Sequence, residues 1–304
     1  MSSSIIPKDF NVGGIRAHVY ARPGVLPSPG DAPVAPGTLP VSVLFALHGR
    51  LGDSNNDYIV ATANEALEYV SAQEKETGEL GRELIVVSFD HRNHGERMVD
   101  ALGNEGWSKK STEKHNERHA VDMYAIQTGT AKDVSFLIDF LPAYLFPNDE
   151  RTITTWGMLG VSLGGHATWI TLKNEPRLTV GIPVIGCPDY LTLLELRADK
   201  HGLPLAPPYM PSSLRAHIQA HDPITADYTS TSASNPFGGK RILVLSGAAD
   251  PLVQWTASSA FVEELQVGTS GRKEVKVLEG VKHEYTPGMR ETAIRFIWEE
   301  MVRA

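Results

Sequence analysis

The chain has 304 residues, 41% hydrophobic and 21% charged, which is ample for a packed core and excludes an intrinsically disordered protein. Its 28 lysines and arginines face 36 aspartates and glutamates, and the net charge of −8 argues against general affinity for nucleic acid or anionic membrane. A single cysteine, Cys187, excludes an internal disulfide framework and a cysteine-based zinc site.

No apolar run approaches the roughly 18 residues of a membrane helix. Residues 1–9 lack the basic-then-apolar pattern of a secretory signal, so the chain reads as soluble and cytoplasmic. Residues 14–21 alternate like a half-exposed strand of a hairpin. A connector with six prolines follows from 23 to 40 and reads as a surface loop.

From residue 41 onward, short continuous apolar runs alternate with amphipathic helical segments. The runs are 41–47, 84–88, 152–159, 180–185, 242–245 and 275–278, and they predict strands buried on both faces of a mainly parallel sheet. Helices are predicted at 58–72, 131–145, 165–172, 255–265 and 289–302, with Gly129 and Pro142 weakening the ends of the second. Right-handed crossovers then give an α/β, doubly wound, mostly parallel sheet of the eight-stranded type. Two insertions interrupt this rhythm. Residues 91–116 are rich in charge and histidine. Residues 188–239 are about fifty residues long, with helix candidates at 191–197 and 212–220 joined by a proline-rich 204–211. Connections of that length serve as lids or binding loops, so residues 1–304 read as one domain with an inserted lid at 188–239.

The strongest chemical signal is Gly160-Val161-Ser162-Leu163-Gly164-Gly165, directly after one predicted strand and opening a helix. Such a strand–turn–helix lifts the serine hydroxyl above the sheet, and the helix behind it aims free N–H groups at an oxyanion position. A serine needs a base to take its proton, and the base needs an orienting acid. Asp250 follows the 242–245 run and His283 follows the 275–278 run, in the order Ser…Asp…His and at strand carboxyl ends. Alone, Asp250 before Pro251 would read as a helix N-cap, and His283 as an ordinary loop histidine. Their joint type, order and position make Ser162, Asp250 and His283 the candidate catalytic residues. The backbone N–H groups of Leu163 and of Arg50, in the turn His48-Gly49-Arg50, are the candidate oxyanion donors.

These motifs resemble the α/β-hydrolases: His48-Gly49 after the first core strand, Asp90-His91-Arg92-Asn93-His94-Gly95 after the next, the elbow at Ser162, the acid loop from Gly247 to Val253, and His283. Within that superfamily they are most similar to single-domain serine esterases related to the prolyl-oligopeptidase-type hydrolases. The resemblance implies a serine esterase acting on a small-molecule carboxylic ester, with no metal and no organic cofactor. Thioesterase and small-peptide or amide hydrolysis use the same machinery. A ligand-binding protein on a hydrolase fold is the alternative of another class.

Tyr209 and Cys187 are candidate substrate contacts; the plainer readings are a proline-stiffened loop and a small apolar filler. The Arg50 side chain either pairs with a substrate carboxylate or is solvated or structural. His91, His94, His115 and His119 cluster within 29 residues but match no metal-ligand spacing. His166, on the helix behind the serine, reads as a packing residue. Neither oligomeric state nor acyl preference is legible in the chain.

Overall fold

The computed structural model describes residues 5–27 and 39–303. Positions 28–38, most of the predicted proline-rich connector, lie outside the described residues. Eight strands form one sheet in the order β1-β2-β4-β3-β5-β6-β7-β8. They are β1 Lys8–Val12, β2 Ile15–Ala21, β3 Val41–Leu47, β4 Glu83–Ser88, β5 Ile153–Val161, β6 Leu178–Val184, β7 Arg241–Gly247 and β8 Arg272–Leu278. The β1–β2 hairpin and its junction with β4 are antiparallel, and every pairing from β4 through β3 to β8 is parallel. The predicted doubly wound sheet is therefore the one observed.

Both faces of the sheet are covered, which is why its central strands are continuous apolar runs. On β3, Val41, Val43, Phe45 and Leu47 point into one core with Trp169, Leu137 and Phe261. Leu44 and Ala46 point into the other, with Ile59, Leu67 and Phe296. The first layer carries α2 His119–Leu145, α3 Leu163–Asn174 and α6 Ser259–Glu264. The second carries α1 Asp57–Thr77 and α7 Pro287–Ile297, which runs into a π-helical turn at Trp298–Val302. Gly78 ends α1 in the left-handed conformation a glycine accepts, and the Thr286 side chain caps α7 by accepting from the Met289 N–H.

The largest departure from expectation is in α2. The second helix begins at His119 rather than at residue 131, and it runs through Gly129 and Pro142. Gly129 is where the Arg92 side chain crosses the helix, so a Cβ would displace the guanidinium that pairs with Asp133. Pro142 sits in the last turn, where few backbone bonds remain to be lost. The first half of α2 packs Met123, Tyr124 and Ala120 against α4 Tyr190–His201 and α5 Ser212–His221 of the 188–239 insertion, through Tyr190, Leu194 and Ile218. Among the described residues no helix is long and apolar enough to cross a membrane.

Candidate functional site

The sequence around Ser162 forces a tight turn between β5 and α3. Ser162 has φ 54° and ψ −106°, a left-handed backbone that a side-chain-bearing residue rarely adopts. The turn closes so tightly that a Cβ on Gly160 would collide with the Gly164 backbone, and one on Gly164 with the carbonyl of Leu47. That crowding is the reason both motif positions are glycine. The Ser162 N–H is held by the Val184 carbonyl of the neighbouring strand, at 2.9 Å.

The loops after β5, β7 and β8 converge. The Ser162 hydroxyl lies 2.9 Å from His283 Nε2, and His283 Nδ1 lies 2.7 Å from Asp250 Oδ2. The other Asp250 oxygen accepts the N–H groups of Leu252 (2.8 Å) and Val253 (2.9 Å). Burial raises the Asp250 pKa, but the hydrogen bonds from His283, Val253 and Leu252 outweigh it, and the carboxyl stays below its ordinary range. The Asp250 side chain is only 1% exposed while that of His283 is 21% exposed, so the imidazole reaches solvent and the acid lies behind it. The two loops are fastened by Ala248 N–H to the Leu278 carbonyl and Ala249 N–H to the Val281 carbonyl, both at 3.0 Å.

An ionised acid that accepts from Nδ1 fixes the imidazole tautomer with Nε2 free to accept from the serine. The arrangement can therefore take a proton from Ser162 as its oxygen attacks an acyl carbon.

The predicted oxyanion donors are the N–H groups of Leu163, which follows Ser162 in the chain, and of Arg50, in the loop after β3. The neighbouring donors are engaged: Gly164 N–H by the His48 carbonyl (3.2 Å), Gly49 N–H by the Tyr58 hydroxyl (2.7 Å) and Gly52 N–H by the Gly49 carbonyl (3.2 Å). Leu163 and Arg50 stand between these pairs. The loop carrying Arg50 is stapled by histidines. His91 donates its backbone N–H to His48 Nε2 (3.2 Å) and its own Nε2–H to the His48 carbonyl (2.8 Å). Burial pushes His48 down to about 4, which keeps it neutral and able to accept.

The remaining predicted residues fall elsewhere. Ser162 and His283 line a cavity of about 340 Å³, and neither Tyr209 nor Cys187 is among its lining residues. Tyr209 stands behind a residue that does line it, edge-on to Trp107 at 6.0 Å. Cys187 is buried among Leu193, Val253 and Ala257, and burial raises its thiol to about 12, far from reactive. His166 is buried and accepts the Cys187 N–H at 2.9 Å. His115 and His119 bond the backbone carbonyls of Ser108 and Glu105. A wider surface cleft of about 910 Å³ between residues 231–239 and 265–273 contains none of the predicted site residues.

Sequence reasoning missed other residues that line the cavity with the serine: Trp107, His119, Arg197 and Lys200. Arg197 lies on the same helical stripe as Tyr190 and Leu194, and that register is the one signal that would have placed it inward.

No protein-family model matches the sequence, and no curated protein does. Solved structures do resemble it. TT1662 of Thermus thermophilus superposes with a TM-score of 0.63 at 17% identity, covering 97% of each chain. Est1E of Butyrivibrio proteoclasticus, solved with ferulic acid bound, gives 0.57 at 16% identity over 97% of this chain and 99% of that one. The acetyl xylan esterase of Paenibacillus sp. R4 gives 0.54 at 19% identity over 98% and 85%. With this sheet order, the tight left-handed turn after β5 and these structural neighbours, the fold of the chain is the α/β-hydrolase fold.

Proposed function

We propose that the protein is a serine hydrolase that cleaves carboxylic esters through an acyl-enzyme intermediate. The observation that carries this reading is the hydrogen-bonded chain from Ser162 Oγ through His283 to a buried, ionised Asp250. In the proposed cycle Ser162 Oγ bonds to the acyl carbon while His283 Nε2 takes the hydroxyl proton. The imidazolium returns that proton to the departing alcohol as the ester C–O bond breaks. Water, deprotonated by His283 in turn, then releases the acid and restores the serine. The N–H groups of Leu163 and Arg50 hold the negative oxygen in both tetrahedral stages. The segment 188–239 acts as a lid whose helices α4 and α5 rest on α2 and limit what enters. Two acetyl xylan esterases among the structural neighbours support the choice of an ester, and a puromycin-hydrolyzing peptidase among them is the reason to test amides beside it.

The test is labelling by a fluorophosphonate probe together with turnover of a panel of acyl esters, thioesters and amides. Wild type is expected to be labelled and to hydrolyse esters fastest, and Ser162→Ala to lose both, with turnover down by about 10³-fold or more. Equal labelling of wild type and Ser162→Ala would remove Ser162 as nucleophile. Labelling without turnover of any acyl substrate would favour a binding protein.

A further inference from the structure

The chain is acidic overall, but the cavity over Ser162 is basic. Arg50, Arg197 and Lys200 line it, and no aspartate or glutamate does. Many arginines elsewhere in the molecule are paired with carboxylates, as Arg22 is with Glu74 and Glu83, Arg92 with Asp133 and Arg290 with Glu65, while Arg151 and Arg215 bond backbone carbonyls. Among the described residues the three cavity cations form no such pair. Arg50 donates to the Asn104 carbonyl (2.7 Å) and Lys200 to the Pro251 carbonyl (3.2 Å). Arg197 donates to the Leu252 carbonyl (3.2 and 3.3 Å) and to His119 Nε2 (3.2 Å).

Their neighbours do not neutralise them. His119 Nδ1 lies 3.0 Å from the Glu105 carbonyl and must donate there, so Nε2 is the acceptor for Arg197 and the ring is uncharged. Burial holds this histidine well below its ordinary pKa, and the charges of Arg197 and Arg50 push it the same way. The carboxylates that attract the two guanidiniums are Glu105 for Arg50 and Asp250 for Arg197. Among the described residues Glu105 makes no ion pair, and Asp250 has both oxygens committed to His283, Leu252 and Val253. Desolvation lowers the pKa of both arginines, as expected of positive charge withdrawn from water without a counterion. A guanidinium has five N–H donors in a planar fork suited to an oxyanion, and Arg50 and Arg197 each leave some of theirs unused.

We infer that Arg50 and Arg197, with Lys200 at the rim, bind an anionic oxygen group of the substrate, so that the ester cleaved at Ser162 is a short one carrying a carboxylate or phosphate. The substrate class rests on the ester-hydrolase reading; the anion site itself does not. A volume of about 340 Å³ is at the small end for ligand cavities and limits the substrate to a few carbons beyond the ester. The charge is supplied by recognition alone and takes no part in bond making.

Two experiments test this separately from the catalytic reading. The first is calorimetry on Ser162→Ala, which needs no turnover, with monomethyl glutarate and dimethyl glutarate as ligands. The anion is expected to bind at least tenfold more tightly, with the advantage shrinking as salt rises, and equal affinities overturn the inference. Methyl phosphate in the same titration assigns the anion: tighter binding than monomethyl glutarate selects a phosphate, weaker binding a carboxylate. The second compares kcat/KM for 4-nitrophenyl hydrogen glutarate and 4-nitrophenyl methyl glutarate. Preference for the charged ester is expected to fall about tenfold or more in Arg197→Gln and to recover in part in Arg197→Lys. If Arg197→Gln slows both esters equally, Arg197 is only structural and the inference fails. Failure of the fluorophosphonate labelling would remove the nucleophile and leave the calorimetric result standing.

Discussion

Asp250 and Arg197 carry opposite charges on loops and helices that meet at one cavity, yet they are housed in contrary ways. Asp250 is surrounded by its partners: an imidazole on one oxygen, two backbone N–H groups on the other, and almost no exposure. Arg197 is half-buried among backbone carbonyls and a neutral histidine and, among the described residues, forms no ion pair. A charge whose hydrogen bonds are all made within the protein is built to stay in place and orient something else. A charge left short of a counterion is ready to meet one that arrives with a ligand. The side of the site to which the proposed function assigns the chemistry is thus complete in itself, whereas the side proposed to meet the substrate is left open electrostatically.

The contrast can be attacked from either side. The largest effect is expected at the completed one: Asp250→Asn should lower kcat by about 10³- to 10⁴-fold, because the amide can stabilise neither the required tautomer nor the imidazolium. Ester kinetics check this, and near-normal activity would mean that another acid serves His283. Gly160→Ala strikes the turn rather than the triad. The new methyl meets the Gly164 backbone, and urea unfolding should report a loss of about 3 kcal/mol. An undisturbed midpoint would show that the elbow can relax. The smallest effect belongs to Lys200, which lies on the exposed rim. Lys200→Gln should reduce preference for the charged glutarate ester by only about two- to threefold, measured as a kcat/KM ratio at low salt. A loss as large as that for Arg197→Gln would move the anion site outward along α4.

The parts of the structure legible in the sequence are those where one physical demand dominates. Strands β3 to β7 are buried on both faces, and the apolar runs mark them to within a few residues. The glycines at 160 and 164 follow from a close backbone approach, and Asp250 and His283 follow from strand order. Where two demands compete, the pattern blurs. Strand β8 begins at Arg272 rather than at 275, because it is an edge strand and Arg272 pairs with Glu274, Glu299 and Glu300 on its exposed side. Strand β1 carries Lys8, Asp9 and Asn11 on the opposite edge and leaves only Phe10 and Val12 as an apolar trace. The first half of α2 buries His119, Gln127 and Thr130 against loops and the insertion, so its helical period does not stand out from polar sequence. Arg197 is illegible for a related reason. A cation along an apolar helix face looks like a break in the pattern until the chain brings the acid loop beside it.

Leu252 makes this last point concrete. Its N–H holds the Asp250 carboxylate and its carbonyl holds the Arg197 guanidinium, so one residue's backbone is shared by the acid that orients the histidine and the cation on the insertion. The two halves of the site are therefore not interchangeable modules. A transplanted 188–239 insertion, however well it packed on α2, would have to bring its own donor to that carbonyl or leave the acid loop tied only to the β8 loop, through Ala248 and Ala249. The proposed anion site and the proposed triad therefore share one loop, and effects of substitutions on either side of Leu252 should not simply add.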